Sequence, residues 1–324
     1  MKTIFKRLIV GGIGVFLIGG VSCNNTNNTD TFDLNKKVIA YTRDTSSGTR
    51  DGFFTAIGFS EAKEDNEPLA SHVEAKDNSN MISLVNNDMY GIGYISLASV
   101  KDSSLKALSY EGVVASEENV VNGSYTLSRN FNYIIRNESD CSEVEWLLIN
   151  GFLAFMNSQE GLAIIKSNDG ILTSSIGNAK KWNDILNENA SLKALCEDKN
   201  ATKVTINLGG STSVKKIAEA LSKAFSNLCS VFEPLHNHTG SSDAYKGTQG
   251  SQKDNAANKL HIGFLSRELK KDGSENVTKK TSGLICKDGI VAVVNSKNTV
   301  LDNITAAKLK MIYQTGASWS DVVA

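Results

Sequence analysis

Val38-Ile-Ala-Tyr-Thr-Arg-Asp-Thr-Ser-Ser-Gly-Thr-Arg50 passes from a β-branched and aromatic run into a cluster of hydroxyl residues and glycine that opens a helical pattern. The same grammar recurs where VTINL at 204–208 meets Gly209-Gly-Ser-Thr-Ser213, and again at Thr239-Gly-Ser-Ser-Asp243. Further short apolar runs, HIGFL at 261–265 and IVAVVN at 290–295, are separated by amphipathic stretches. Val214, Ile217, Ala218, Leu221 and Phe225 fall at helical spacing, as do Val144, Leu147, Leu148, Phe152 and Phe155, so both stripes read as core-facing sides of helices. Strands and helices alternating in this way predict an α/β fold. The stretch 176–202 is polar and weakly periodic, and reads as a connector with one short helix.

The three turns carry the chemistry. Hydroxyl residues at a helix start cap free backbone N–H groups, and glycine lets a ligand approach that backbone closely. Such a helix start favours a small anion, and three of them strengthen the case. Arg43 and Arg50 flank the first turn, and each planar fork can hold two oxygens of a phosphate-like group. No turn has the spacing or lysine of a Walker A loop, and G-x-S-x-G is absent, so nucleotide hydrolysis and nucleophile-elbow chemistry are disfavoured. His72, His236, His238 and His261 supply no third ligand for a metal and read as solvent-facing or satisfied side chains. Neither metal nor cofactor is expected.

A chain of 324 residues with 40% apolar content is long enough for two cores. Its 34 basic and 35 acidic side chains create no field for a polyanion, so nucleic acid is not an expected partner. Lys2, Lys6 and Arg7 precede an uncharged run from Leu8 to Gly20, which is short and glycine-rich for a membrane span and reads as a signal peptide over 1–22. Cys23 follows Gly20-Val21-Ser22 and precedes a polar tether over 23–37, an arrangement that resembles a bacterial lipoprotein signal with Cys23 lipidated. Cys141, Cys196, Cys229 and Cys286 form no C-x-x-C pair, which leaves buried free thiols or one or two disulfides open.

These motifs, taken together, resemble the phosphate-binding proteins of bacterial phosphate-specific ABC transporters. Residues 204–324 are similar to the first half of that family: GGSTSV at 209–214, GSS at 240–242, IGFLSREL at 262–269, and KDGIVAVVNSKNTVLDNITAAKLKMIYQTGASWSDV at 287–322. Residues 38 to about 175 resemble its second half, through TRDTSSGTRDGF at 42–53, YGIGYISL at 90–97, NGSYTLSRNFNYII at 122–135 and GFLAFMNSQEGLAIIKSNDGIL at 151–172. The two blocks stand in the reverse of the family's usual order, as in a circular permutation.

The resemblance implies a two-lobed periplasmic-binding-protein-like (type II) fold with permuted chain order. One lobe would combine 38–117 with 284–324, and the other would span 118–283 and include the connector 176–202. It implies phosphate contacts from Arg43, Ser47, Gly48, Thr49, Thr212, Ser213, Ser241, Ser242, Ser266 and Arg267, with Arg50 added. Selectivity for a protonated phosphate over sulfate calls for a carboxylate acceptor, and Asp44, Asp243 and Glu268 are the candidates. The implied protein is not an enzyme: it is a monomeric, lipid-anchored, extracytoplasmic binding protein that delivers inorganic phosphate to an ABC permease. A sensor or adhesin on the same fold, or a secreted phosphatase, is the alternative reading.

Overall fold

The computed structural model describes residues 32–324. The signal segment, the lipidation site Cys23 and most of the tether lie outside the described residues. The chain begins with β1 (Ile39–Arg43), α1 (Gly48–Ala56), β2 (His72–Ala75), α2 (Asn78–Asn86), β3 (Gly91–Ser96), α3 (Leu97–Val100), β4 (Lys106–Ala107), β5 (Ser109–Tyr110) and α4 (Glu117–Val121). Next come β6 (Ser128–Ile135) and four helices, α5 (Glu143–Met156), α6 (Gln159–Ser167), α7 (Trp182–Glu188) and α8 (Ala190–Glu197). A second alternating run has β7 (Val204–Gly210), α9 (Lys215–Leu228), β8 (Phe232–Asn237), α10 (Ser241–Thr248) and β9 (Ile262–Leu265). The chain closes with β10 (Ser282–Val294), β11 (Asn303–Ile304), α11 (Ala306–Gln314) and α12 (Trp319–Val323).

The sheet runs β2-β1-β3-β10-β6-β9-β7-β8. Its two halves repeat one pattern: β1 lies between parallel β2 and β3, and β7 lies between parallel β8 and β9. Antiparallel β10 and β6 join them, β10 pairing with β3 through Ile290–Val294 and with β6 through Ser282–Gly289. The two-residue periodicity of β10 places Ile290, Ala292 and Val294 in one cluster with Phe53, Tyr94 and Trp319, and Val291 and Val293 in another with Met81 and Val85. A separate core surrounds Phe152, Trp182, Phe225 and Phe232.

Both joining strands pass from one core to the other. Phe131 and Cys286 belong to the Phe152 core, whereas Leu127 and Ile290 belong to the Phe53 core. Val120, Tyr125 and Leu127 also pack in the Phe53 core.

The segment 176–202 departs from its sequence reading. It forms two helices, α7 and α8, and a short 3-10 turn at Ile176–Asn178. Trp182, Leu192 and Cys196 are few, but each is buried in the Phe152 core, so a weak periodicity still fixes the segment. Cys196 is disulfide-bonded to Cys229, while Cys141 and Cys286 are free. At the other end of the fold, Phe32 lies 5.0 Å from the rings of both Tyr90 and Trp319. The Trp319 N–H donates to Lys36 O at 2.9 Å and that of Ser320 to Leu34 O at 2.8 Å, so the start and end of the described chain lie together.

Candidate functional site

Ligands of open α/β sheets gather at the carboxyl ends of parallel strands, where successive turns converge. Here β1, β7 and β8 end at Arg43, Gly210 and Asn237 and run into the three hydroxyl-rich turns, and β9 ends at Leu265 beside Ser266. Ser47 caps α1, its hydroxyl accepting from the N–H of Thr49 at 3.2 Å and of Arg50 at 3.4 Å. Neither α9 nor α10 has a side-chain cap. The first N–H groups of α9 therefore remain available for an anion, whereas at α10 those of Ser242 and Asp243 donate to Ser46 O and Gly240 O.

The turns meet across the cleft between the two cores. Thr49 Oγ1 lies 2.9 Å from Ser213 Oγ, and Arg43 Nη2 donates to Thr212 Oγ1 at 3.1 Å. Ser211 donates its hydroxyl to Ser266 Oγ at 2.8 Å, and the Ser266 N–H donates to Ser241 Oγ at 3.0 Å. A Cβ on Gly48 would fall on Ser241 Oγ and lie 2.6 Å from Ser266 Oγ, so any other residue there must displace both hydroxyls. Gly210 is needed for its backbone: its φ is +97°, and a Cβ would also meet Phe264 O and Ala244. The Ser242 N–H reaches Ser46 O at 3.4 Å. Outside these contacts the cleft widens to about 600 Å³ between Asp77, Asn78 and Ser99 on one wall and Thr212, Ser213 and Lys215 on the other.

Arg43 is the guanidinium that reaches the cleft. The Arg43 backbone N–H donates to the Tyr94 hydroxyl at 3.0 Å, and its side chain donates to Ala75 O at 3.1 Å and Lys76 O at 2.9 Å. Tyr94 is fixed in turn by stacking on Phe53 at 3.9 Å between ring centroids. Arg50 points the other way: it donates to Ala62 O at 2.8 Å, Arg43 O at 2.9 Å, Asn66 Oδ1 at 2.7 Å and Asp65 O at 2.6 Å. Arg267 is also engaged elsewhere, in a two-pronged pair with Glu275 at 2.9 and 2.6 Å. Burial raises the Glu275 carboxyl, and Arg267 outweighs that and holds it below the usual range. So nine of the eleven sequence candidates converge, and two arginines turn their side chains away.

The three carboxylate candidates have different surroundings. Asp44 accepts from both the N–H and the hydroxyl of Ser46 and lies 3.4 Å from Arg43 Nη2. Asp243 accepts from the Thr239 hydroxyl at 2.7 Å and faces Lys246 at 3.6 Å. Glu268 accepts from exposed Asn130 at 2.7 Å. Only Asp44 is bonded to the turn that carries Ser47 and Gly48.

Both rims of the cleft are bridged by ion pairs. Lys101 and Lys216 lie 2.5 and 3.3 Å from Asp169, and Lys270 lies 2.5 Å from Glu64. Exposed pairs of this kind contribute little each. His238 Nδ1 donates to Ser211 O at 2.9 Å, and His238 Nε2 accepts from His236 Nδ1 at 3.1 Å. Burial pushes the His238 imidazole down to about 4, so the pair is neutral at neutral pH. These are satisfied histidines, and no group of three metal-ligating side chains occurs among the described residues.

Ser46, Ser211 and the buried pair Arg129–Asp288 were not singled out from the sequence. Ser46 and Ser211 lie inside the quoted clusters, where strand-end position could have flagged them. Arg129 and Asp288 sit in apolar strands and become partners only through the antiparallel register of β6 and β10.

This fold and cleft define the class: a mixed α/β protein of periplasmic-binding-protein-like architecture. Residues 197–324 match the model of a PBP superfamily domain. A crystal structure of a phosphate ABC transporter phosphate-binding protein from Streptococcus pneumoniae superposes with a TM-score of 0.61 at 25% identity, covering 88% of this chain and 99% of that one. The chain is 29% identical over 332 residues to the Streptococcus agalactiae phosphate-binding protein PstS 2, covering 99% of this chain and 98% of the relative. It is 26% identical over 312 residues to PstS 2 of Streptococcus pneumoniae, with 95% of each chain covered. The chain is thus similar to PstS-type phosphate-binding proteins along nearly its whole length.

Proposed function

We propose that this protein captures inorganic phosphate outside the cytoplasmic membrane and delivers it to an ABC permease. The observation that carries the reading is the convergence of Arg43, Ser47, Gly48, Thr49, Thr212, Ser213, Ser241, Ser242 and Ser266 from both halves of the sheet onto one place. Neutral N–H and hydroxyl donors with one guanidinium suit a desolvated dianion. The phosphate-binding relatives from Streptococcus point the same way.

Lobe closure around the anion, with opening against the permease, is the mechanism this arrangement suggests. The lobes would divide where β6 and β10 pass between the cores. We read the protein as a binding protein and not an enzyme, because the hydroxyls of Thr49, Ser211, Thr212, Ser213, Ser241 and Ser266 bond to other hydroxyls, backbone groups or Arg43, and Ser46, which does meet a carboxylate, donates to Asp44 of its own turn, which is paired with Arg43. Lipid attachment at Cys23 rests on the sequence signal and would tether a monomer to the membrane. The reversed block order is supported as native by the alignment running through 99% of this chain and 98% of the relative. It is also physically inexpensive, since residues 34–37 and 317–320 are hydrogen-bonded neighbours.

Calorimetric titration of the purified protein with phosphate, sulfate and molybdate tests the reading, beside an Arg43→Ala variant. Tight phosphate binding, not competed by sulfate and lost in the variant, is expected. A folded protein that takes none of the three ions removes the transport reading.

A further inference from the structure

Asp288 and Arg129 are directly opposed across β10 and β6, at the point where both strands pass from one core to the other. Asp288 Oδ2 accepts from Arg129 Nε at 3.1 Å and Nη2 at 2.8 Å, and Oδ1 accepts from the Ser96 hydroxyl at 2.7 Å. Ser96 ends β3 and immediately precedes α3, on the Phe53 side of the cleft. On the other side, Arg129 Nη1 donates to the backbone carbonyl of Ser266 at 3.4 Å. The Arg129 stem also underlies α1, within 3.5 Å of where a Cβ on Gly52 would sit.

This is the most deeply buried ion pair among the described residues, with side chains 3% and 2% exposed. Burial pushes the Asp288 carboxyl up and the Arg129 guanidinium down, and their mutual contact opposes both shifts. Because desolvation offsets most of the Coulomb attraction, such a pair is poor evidence of added stability. Its geometry offers the other explanation. The chain Ser96–Asp288–Arg129–Ser266 links the two sides of the cleft and ends on the residue whose N–H and hydroxyl meet Ser241 and Ser211.

On the reading that the cleft binds phosphate, we propose that Arg129 and Asp288 form a positioning pair, which ties the β3–α3 junction to Ser266 and thereby orients its donors without touching the anion. Asp288 neutralises Arg129, so the arginine acts as a strut and not as a remote charge. The two roles predict opposite signs. Removing the carboxylate charge while keeping its shape would tighten anion binding if Arg129 worked through its field, and weaken it if Arg129 works through position.

The test is calorimetric titration of the full protein with inorganic phosphate for wild type, Asp288→Asn, Ser96→Ala, Ser266→Ala and the Ser96→Ala/Ser266→Ala double variant. Asp288→Asn and Ser96→Ala are each expected to weaken phosphate about 10-fold, and the double variant to lose less than the product of the two single effects, because part of the Ser96 effect runs through the Ser266 hydroxyl. A merely structural pair would lower ligand-free melting temperature and leave the two serine effects additive. Unchanged or tighter binding by Asp288→Asn, or additivity in the cycle, overturns the proposal. If Asp288→Asn does not fold, Ser96→Ala decides by the same criteria, since it deletes one hydrogen bond and no charge. A wild-type protein that binds no phosphate brings down both readings; wild-type binding matched by the variants brings down only this one.

Discussion

Thr49 and Ser213 lie 164 residues apart in the chain, yet their hydroxyl oxygens are 2.9 Å apart across the cleft. One belongs to the first turn of α1 and the other to the turn that opens α9, so this contact reports directly how the two halves of the sheet are apposed. The predictions follow from this apposition and from the groups that support it.

Gly48→Ala should block that approach. The new methyl would overlap Ser241 Oγ and crowd Ser266 Oγ at 2.6 Å, and moving those hydroxyls breaks their bonds to the Ser266 N–H and to Ser211. Gly48 lies within α1, where alanine is a better helix former, so the fold should survive. Phosphate affinity measured by calorimetry should fall at least about 10-fold with an unchanged circular dichroism spectrum, equivalent to about 1.4 kcal/mol or more.

Arg267→Gln separates support from recognition. It leaves Glu275 buried without its partner, and breaking such a pair typically costs about 3–5 kcal/mol. Chemical denaturation should show that loss, and adding Glu275→Gln should recover part of it. Phosphate affinity should stay within about threefold of wild type, since each 1.4 kcal/mol is a factor of ten and no contact to the convergent turns is removed. A collapse in affinity would return Arg267 to the ligand site.

The Cys196–Cys229 disulfide closes a separation of 33 residues between α8 and the end of α9. Loop-closure entropy for that length predicts a loss of about 3–4 kcal/mol on reduction. Thermal melting with and without reductant checks this. The bond lies in the Phe152 core, away from the convergent turns, so phosphate affinity of the reduced folded protein should match the oxidised one.

Acidification should destabilise the protein through His261. Its Nδ1 accepts the N–H of Asn207 at 2.8 Å and its Nε2 faces Glu145 at 3.1 Å, so a second proton would break the first bond. Burial, with Lys259 nearby, pushes the imidazole down to about 4, although Glu145 opposes this. A histidine depressed in the native state takes its proton first when unfolded. Stability is therefore intact above the unfolded value near 6.5, falls as pH drops from there, and levels off below about 4. The loss is on the order of 3 kcal/mol. A His261→Gln variant should show a flatter melting-temperature profile across that window; an unchanged slope would assign the effect to other groups.

The sequence made the α/β class legible because strand runs ending in glycine and hydroxyl clusters are local features. The same locality singled out Ser47–Thr49, Thr212–Ser213 and Ser241–Ser242 at helix starts and Arg43 at the end of β1. It could not say where Arg50 and Arg267 point, since an arginine beside an anion-type turn looks the same whether its fork faces the cleft or, as here, Ala62, Asp65 and Glu275. It also underrated 176–202, where Trp182 and Leu192 fill a core that is assembled by distant helices.

By itself, then, the sequence determined the element types and the donor-rich turns, because each is encoded in contiguous residues through propensity, capping and glycine's freedom. Only the tertiary structure decided which side chains face one another. Arg129 meets Asp288, Cys196 meets Cys229 and Gly48 meets Ser241 because strand register and helix packing bring remote segments within a few ångströms, and no pattern along the chain carries that distance.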